Sequence, residues 1–479
     1  MQILIRITRM AWRYPTRLSL AYLTFLGAVG VSLLIPYLFG ASIDRLVSVT
    51  DEGIGGKDVA RSTLVLLATA ILSASLIRGF LDFARTYSVD SLSQLVSYDF
   101  RNQLYDKLQH LSFAYHDKEH TGNLMSRAIT DVETIRMFVN IGLIRSPYYV
   151  ILFFVVAFVL IQLDWKLGLV SISFLPVMTV LVSIVHAHMR RIWLKVQEDM
   201  GELSTILQES MTGIRVVKAF AAEDYEEKKY EVMSGNVSTD MIRAARLQIL
   251  NTSLMVFSFL IATGLILWYG GGRVIEGHMT WGELAQFLFY LQILTLPIRQ
   301  AGTMVSTFAR AMSGGQRLFE VMDLESPVQE RQGAATMTRG KGHVRFENVS
   351  FAYQQGVNVL ENIDIDAKPG QIIALLGAPG SGKSTAVHLI PRFYEVTGGR
   401  VTIDDVDVRD MTLKSLRRNV GIVQQDVFLF TSTLRENIAY GREDASMEEV
   451  VEAARVAQMD DFIQDLGEGY ETLVGERGS

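Results

Sequence analysis

Six long apolar stretches constrain the fold of this chain more than any other feature of its sequence. They cover residues 18–41, 62–83, 135–163, 167–186, 249–268 and 284–308. A helix needs about 20 predominantly apolar residues to cross a bilayer, and each stretch meets or approaches that length. The alternative is a set of buried core helices in a large soluble protein, but six such helices in one chain are hard to bury otherwise. Because 49% of all residues are hydrophobic, the sequence predicts a membrane protein with six spans.

Basic residues predict the orientation of these spans. The long segments 88–133 and 190–246 hold most of the basic residues between spans, whereas the turns at 163–166 and 270–280 are short. Four arginines precede the first span: Arg6, Arg9, Arg13 and Arg17. Lysine and arginine accumulate on the cytoplasmic side of membrane proteins, so the N-terminus and both long segments are predicted to be cytoplasmic. Apolar residues recur at helical spacing in these segments, which are predicted to continue the membrane helices.

A glycine-rich stretch at 377–385 fits the phosphate-loop pattern G-x-x-x-x-G-K-[ST]. An apolar run at 372–376 is predicted to form a buried strand before it, and 386–389 to lie at the start of a helix after it. Glycines let backbone N–H groups wrap a polyphosphate closely, and the helix directs its positive end at the anion. Lys383 is expected to reach the β- and γ-phosphates, and the Ser384 hydroxyl to coordinate Mg²⁺. The pattern predicts a nucleoside triphosphate site.

Composition shifts along the chain predict its domains. Residues 1–310 are predicted to form a transmembrane domain with two long cytoplasmic loops, and the polar, glycine-containing stretch 311–342 a linker. From Val344 to Tyr353 the residues alternate with the period of two that is typical of a strand, and this strand is predicted to begin a soluble domain at 343–479. The predicted fold is therefore a membrane α-helical six-span domain followed by an α/β P-loop nucleotide-binding domain. No cysteine is present, which excludes disulfides and thiol catalysis, and a net charge of −6 gives no argument for a nucleic-acid partner.

With these features together, the chain resembles one half of an ATP-binding-cassette exporter, the architecture of bacterial multidrug and lipid exporters. The segment from Phe113 to Asp117, followed by the run from Thr121 to Asp131, is similar to the family's first coupling segment. The run from Glu209 to Phe220 is similar to the second. The resemblance covers essentially the whole chain, and it implies a dimer with a second half-transporter, either identical or different.

The resemblance also implies roles for individual residues. Tyr353 stands where the family stacks an aromatic ring on adenine, and Gln425 where it places a glutamine that helps to hold Mg²⁺ with Ser384. The implied ATP-binding residues are Tyr353, Gly377, Gly380, Ser381, Gly382, Lys383, Ser384, Thr385 and Gln425. The family's signature loop, catalytic glutamate and switch histidine are expected beyond Ser479, so the nucleotide-binding domain is expected to be incomplete at its C-terminus and this chain alone not to be an active ATP hydrolase.

One sequence match is deceptive. The run from Ser313 to Gln316 spells the core of the signature loop, but it precedes the phosphate loop and falls on the predicted extension of the sixth span. We therefore expect no nucleotide contact from it.

The implied function is ATP-driven export of amphipathic, drug-like or lipid-like molecules by a multi-pass protein of the bacterial inner membrane, with the nucleotide-binding domain in the cytoplasm. A catalytically degenerate regulatory half of a heterodimer, or an inactive fragment, remains an alternative. Charged residues near the spans, such as Arg78 and Asp82, are candidates for cargo contact, although a pair at this spacing could simply neutralise itself.

Overall fold

The computed structural model describes residues 2–52, 57–353, 356–425, 428–442 and 444–475. The chain divides into two compact units. The first, the helical unit, comprises residues 1–105 and 125–322. The second, the cassette unit, comprises residues 106–124 and 323–479. The cassette unit thus includes a short segment that comes from between two of the long helices.

Helices account for nearly all of the first 322 residues. Their order along the chain is α1 (Gln2–Ala11), α2 (Pro15–Glu52), α3 (Lys57–His110), α4 (Phe113–Lys118), α5 (Thr121–Ser126), α6 (Val132–Met137), α7 (Ser146–Leu163), α8 (Trp165–Thr212), α9 (Ile214–Ala219), α10 (Glu223–Ile275) and α11 (Trp281–Met322). Two π-helical stretches, Arg127–Asp131 and Phe138–Arg145, flank α6. The helix from α5 to α7 is therefore continuous but wound more widely at two places.

All six predicted spans lie in helices. Four helical segments among the described residues are long and apolar enough to cross a membrane: Pro15–Ser48, Arg61–His110, Thr121–Leu163 and Glu223–Ile275. The predicted spans 167–186 and 284–308 lie within α8 and α11. Polar residues such as Gln286 and Arg299 lower the hydropathy of α11. A helical transmembrane domain is confirmed.

Several helices are far longer than a membrane is thick. α3 has 54 residues, α8 has 48 and α10 has 53. At 1.5 Å per residue they extend about 70–80 Å, against a hydrocarbon core of about 30 Å. The prediction that the long connecting segments continue the membrane helices is therefore confirmed. α8 and α10 pack against each other with two ion pairs between them, Lys195 to Asp240 at 2.7 Å and Lys229 to Glu209 at 3.7 Å.

The core of the helical unit lies between α2, α7, α10 and α11. Phe25 packs edge-on against Tyr148 with ring centroids 5.3 Å apart, and Leu160, Ile266 and Phe287 are fully buried around them. Large apolar side chains also cover the outer faces of these helices, as lipid contact requires. On α3, Asp82 pairs with Arg78 at 3.8 Å and with Arg85 at 3.0 Å. The Asp82 carboxylate therefore neutralises one of the two arginine charges, and the three side chains together keep one positive charge.

The cassette unit is built on a small antiparallel sheet. Its strands are β1 (Val344–Phe351), β2 (Leu360–Ala367), β3 (Gly398–Ile403) and β4 (Val406–Asp407), in the order β2-β1-β3-β4. Val344 lies opposite Ala367 on one side and Ile403 on the other. Five short helices follow or interleave with the sheet: α12 (Lys383–Leu389), α13 (Leu413–Arg418), α14 (Leu434–Ile438), α15 (Met447–Val456) and α16 (Asp460–Gln464). β5 (Ser432–Thr433) pairs with β6 (Leu473–Val474). The predicted strand from Val344 and the predicted helix after the phosphate loop are confirmed.

The short helix α4 packs on the rest of the cassette unit. The ring of Phe113 stacks on that of Phe393, with centroids 4.2 Å apart and planes 21° apart. The Tyr394 hydroxyl donates a hydrogen bond to the Asp117 carboxylate. The sequence segment that resembles the first coupling segment therefore folds together with the residues that follow α12.

The predicted buried strand at 372–376 is wrong for this structure. The segment has no regular secondary structure, and Ile372 and Leu376 are 94% and 93% exposed. A strand needs a neighbour for its backbone groups, and none of the described strands pairs with this segment. The apolar run has the composition of a strand covered on both faces, but the described residues do not supply that cover.

Candidate nucleotide site

The phosphate loop links the exposed segment 372–376 to α12. Gly380 and Gly382 have φ values of 81° and 89°, in the left-handed region that favours glycine. A Cβ added at Gly382 would lie 2.8 Å from the Leu360 Cδ2. At Gly377 it would lie 2.6 Å from the Ser381 Oγ. Gly380 and Gly382 therefore need glycine for their backbone conformation, and at Gly377 and Gly382, the two glycines that the pattern fixes, a Cβ would meet a neighbouring side chain.

Lys383 places its ammonium group over this loop. Its Nζ donates to the carbonyl oxygens of Gly377 at 3.0 Å and Ala378 at 2.8 Å, and lies 3.4 Å from the Ser381 Oγ. The positive charge is thus held where the loop closes on itself. An anion that enters the loop meets this charge together with the loop's backbone N–H groups.

Tyr353 lies beside the phosphate loop. Its hydroxyl and the Thr385 Oγ1 are 3.0 Å apart, within hydrogen-bonding distance. Its ring meets the ring of Phe351 at 84° and 4.8 Å, and that of Tyr394 at 88° and 5.2 Å. Because both neighbours make edge contacts and the residue is 49% exposed, the ring is held firmly and still accessible. A ring in this state can stack on a flat aromatic ligand.

The residues predicted for Mg²⁺ are less closely grouped. Ser384 follows Lys383 directly and is exposed. Gln425 is also exposed, at the end of an irregular segment that begins at residue 420, and the next residue, Asp426, lies outside the described residues. No cluster of three or more His, Asp or Glu side chains among the described residues could hold a metal alone. The donor set fits Mg²⁺, which usually relies on phosphate oxygens and one or two protein ligands.

The structure adds one residue that the sequence does not predict for the site. Tyr394 is 6% exposed and contacts Phe351, Tyr353, Phe113 and His388 with ring centroids between 5.2 and 6.3 Å apart. Its contacts join residues up to 281 positions apart, so no local pattern marks it. The adjoining aromatic pair at 393–394 behind the phosphate-loop helix is the one signal in the sequence.

The signature-like run in α11 serves helix packing. A Cβ added at Gly314 would lie 2.4 Å from the Thr134 Oγ1, and one added at Gly315 would lie 2.6 Å from the Ile3 Cγ2. Both glycines are buried. Their absence of side chains therefore brings α11 close to α6 and α1, which explains the two glycines without a ligand.

Comparison with known proteins agrees with this geometry. The family model for the ABC transporter transmembrane region matches residues 18–298, and the model for the ABC transporter matches residues 360–475. The second match contains the phosphate loop, α12 and Gln425.

Relatives align over nearly the whole chain. It is 33% identical to the uncharacterized ABC transporter ATP-binding protein YknU of Bacillus subtilis (strain 168), with 99% of this chain and 80% of that protein covered. It is 32% identical to an ATP-dependent lipid A-core flippase of Syntrophus aciditrophicus (strain SB), with 100% and 78% covered. It is 31% identical to the putative multidrug export ATP-binding/permease protein YgaD of Bacillus subtilis (strain 168), with 97% and 80% covered. The chain therefore belongs to the ABC transporters, as a half-transporter of the exporter type.

Proposed function

We propose that this half-transporter uses ATP and Mg²⁺ to export amphipathic, drug-like or lipid-like molecules, as a dimer with a second half-transporter. The names of two relatives, a lipid A-core flippase and a putative multidrug exporter, support this cargo class. The apolar surfaces of the long helices suit such molecules, although they also serve lipid contact.

One observation carries the proposal: α4 packs on the same compact unit that holds the phosphate loop. The stack of Phe113 on Phe393 and the hydrogen bond from Tyr394 to Asp117 tie this segment to the cassette unit. α4 follows α3 after two residues, and α3 contains a candidate span. Movement of the cassette unit therefore has a covalent route to a membrane helix. This is the arrangement that ATP-driven transport requires.

We assign residues 1–310 to the transmembrane domain, 311–342 to the linker and 343–479 to the nucleotide-binding domain. In the inner membrane of a bacterium, the N-terminus and this last domain would face the cytoplasm, because the basic residues are distributed in favour of that orientation. The proposed ATP-binding residues are Tyr353, Gly377, Gly380, Ser381, Gly382, Lys383, Ser384, Thr385 and Gln425.

Bound ATP would supply the free energy of its terminal phosphoanhydride bond. Lys383 would neutralise the outer phosphates from the position where its ammonium now bridges loop carbonyls. Ser384 and Gln425 would hold Mg²⁺ with the phosphate oxygens. Tyr353 would stack on the base, held in place by the Thr385 hydroxyl.

Transport by reconstituted protein tests the proposal. The full-length protein in proteoliposomes is expected to show Mg²⁺-dependent ATPase activity that a fluorescent phospholipid or an amphipathic dye stimulates, with movement of that molecule across the bilayer. Lys383→Ala should weaken ATP binding at least about tenfold, since it removes a charge-assisted contact. The matched control is Lys368→Ala, an exposed lysine of the same unit, which should leave both activities unchanged.

ATPase activity without movement of either molecule would contradict the cargo class, and equal loss in both lysine variants would contradict the assigned site.

The polypeptide 1–479 taken alone is expected not to hydrolyse ATP, because the family's catalytic glutamate follows the part of the cassette that these residues match. Robust activity of that polypeptide that Lys383→Ala abolishes would contradict this expectation.

A further inference from the structure

Tyr394 touches both the nucleotide site and α4. It lies in the cassette unit, in the short connection after α12, and only 6% of its surface is exposed. On one side its ring meets the edge of Tyr353, and on the other its hydroxyl reaches α4. A single side chain therefore separates the proposed adenine-stacking ring from the segment that resembles a coupling segment.

The contacts on the nucleotide side come from two directions. The ring centroids of Tyr353 and Tyr394 lie 5.2 Å apart, and the Tyr353 hydroxyl oxygen lies 3.0 Å from the Thr385 Oγ1 on α12. His388, one turn further along α12, stacks on Tyr394 at 6.3 Å and 28°. Displacement of either Tyr353 or α12 therefore cannot occur without repacking the Tyr394 ring, because close-packed side chains leave no free space around it.

The contacts on the α4 side separate into two kinds. The apolar contacts are the stack of Phe113 on Phe393 and a tilted contact of the Phe113 ring with the Tyr394 ring, whose centroids are 6.3 Å apart. The hydrogen bond from Tyr394 to Asp117 is directional and joins a phenol to a carboxylate. Burial and this hydrogen bond raise the pKa of Tyr394, so the phenol keeps its proton and donates a hydrogen bond to Asp117. Hydrogen bonds to ionised acceptors are stronger than neutral ones.

We propose that Tyr394 is a positioning residue that transmits occupation of the nucleotide site to α4 of the same chain, through its hydrogen bond to Asp117. The Phe113 stack holds α4 on the cassette unit in either state, and the Tyr394 to Asp117 bond sets its orientation. The inference rests on the proposed function in one respect only, that ATP binds at the phosphate loop beside Tyr353.

The test uses the absence of cysteine from the sequence. In the full-length protein in nanodiscs, with any cysteine beyond residue 479 replaced by serine, Ala114→Cys places one spin label per chain on an exposed position of α4. The mobility of this label is measured with and without a non-hydrolysable ATP analogue and Mg²⁺, and the affinity for the analogue is measured in the same samples. Both readouts are independent of the cargo and of hydrolysis.

Two variants remove the hydrogen bond from opposite ends. Tyr394→Phe keeps the ring and its packing, and Asp117→Ala removes the acceptor from the exposed surface of α4. Each should reduce the nucleotide-dependent change in label mobility at least about fivefold, the lower end of typical coupling between sites. Asp117→Asn retains an acceptor oxygen and should restore most of the change. Lys118→Ala, an exposed neighbour on the same helix, is the control and should respond as the parent protein does.

The outcomes are distinguishable. If the analogue does not bind to the parent protein at all, the proposed function and this inference both fail. If the analogue binds and the label responds equally in the parent, Tyr394→Phe and Asp117→Ala proteins, the inference fails alone. A loss in both variants with rescue by Asp117→Asn supports it, because loss of folding would not discriminate between Ala and Asn at an exposed position.

Discussion

Arg317 and Asp131, 186 residues apart in sequence, form an ion pair in the helical unit. The Arg317 Nε donates to one carboxylate oxygen at 2.9 Å and a terminal nitrogen donates to the other. The Asp131 side chain is only 4% exposed, whereas that of Arg317 is 47% exposed. Asp131 ends a π-helical stretch and Arg317 lies on α11. The buried carboxylate thus has a strong, bidentate partner that fixes these two elements together.

Removal of the arginine should destabilise the helical unit. Arg317→Ala leaves the buried Asp131 carboxylate without its main partner, at a cost of about 2 kcal/mol. We expect an apparent melting temperature lower by about 5 °C. All five tryptophans lie in the helical unit, at positions 12, 165, 193, 268 and 281, so intrinsic fluorescence reports its unfolding. Arg310→Ala, at an exposed position of the same helix, should change the melting temperature little. A shift of equal size in the two variants would contradict the role of the pair.

The signature-like glycines give a second prediction. Gly314→Ala puts a Cβ 2.4 Å from the Thr134 Oγ1, so either the Thr134 side chain or α11 must shift. Overpacking of this kind costs about 1–3 kcal/mol. Gly302→Ala, on the same helix with nothing within 4 Å of the added Cβ, is the matched control. Tryptophan fluorescence should show destabilisation for Gly314→Ala alone, and ATP affinity should be unchanged in both. Loss of ATP affinity in Gly314→Ala without loss of stability would instead indicate a nucleotide role.

Tyr353 gives a third prediction. Tyr353→Leu removes the stacking face and should raise the KM for ATP about tenfold, since stacking of a base on an aromatic side chain contributes about 1–3 kcal/mol. Tyr353→Trp should retain most of the affinity. Tyr225→Leu removes a 72% exposed tyrosine of α10 and serves as the control. Steady-state ATPase kinetics of the full-length protein give the KM for ATP of all three variants. An unaltered KM in Tyr353→Leu would exclude Tyr353 from the adenine site.

A pH prediction concerns Asp404, at the turn between β3 and β4. The backbone N–H groups of His343 and Gly342 donate to its carboxylate at 2.9 and 3.2 Å and hold its pKa below the usual range. The folded protein therefore binds this proton less readily than the unfolded chain does. The stabilisation is complete above the ordinary aspartate pKa of about 4 and is lost as the pH falls through the lower folded value.

Asp404→Asn should flatten this acid dependence. A dye on Lys414→Cys, an exposed position of the cassette unit, follows unfolding in denaturant between about pH 5 and pH 2. The parent protein should lose stability more steeply than Asp404→Asn as the pH falls. Parallel curves for the two proteins would show that Asp404 does not contribute in this range.

The features that sequence analysis predicts correctly are those that depend on local chemistry. The span at 18–41 is apolar along its own length, and Gly380 and Gly382 need only their own backbone conformation to be recognised. Gly314 and Gly315 depend on distant residues instead. Their sequence matches the signature loop, but their role in packing is determined by the neighbours Thr134 and Ile3.

Features that depend on distant neighbours could not be predicted. Tyr394 donates a hydrogen bond to Asp117, which is 277 positions away in sequence. No local sequence pattern around a tyrosine in a short connection indicates such a partner. The prediction for 372–376 fails for a related reason: the apolar composition is that of a covered strand, but a strand forms only where another strand pairs with it.

The paired helices α8 and α10 have a mechanical consequence. Two helices that are bonded along their length bend less readily than either helix alone, and the ion pairs of Lys195 with Asp240 and of Lys229 with Glu209 add contacts that oppose sliding. α9 connects α8 to α10 at one end of this helix pair, and its residue Val216 is exposed. A small tilt at one end of a beam about 70 Å long becomes a displacement of several ångströms at the other. The stiffness of the pair therefore affects how far α9 would move when the other end of the pair tilts.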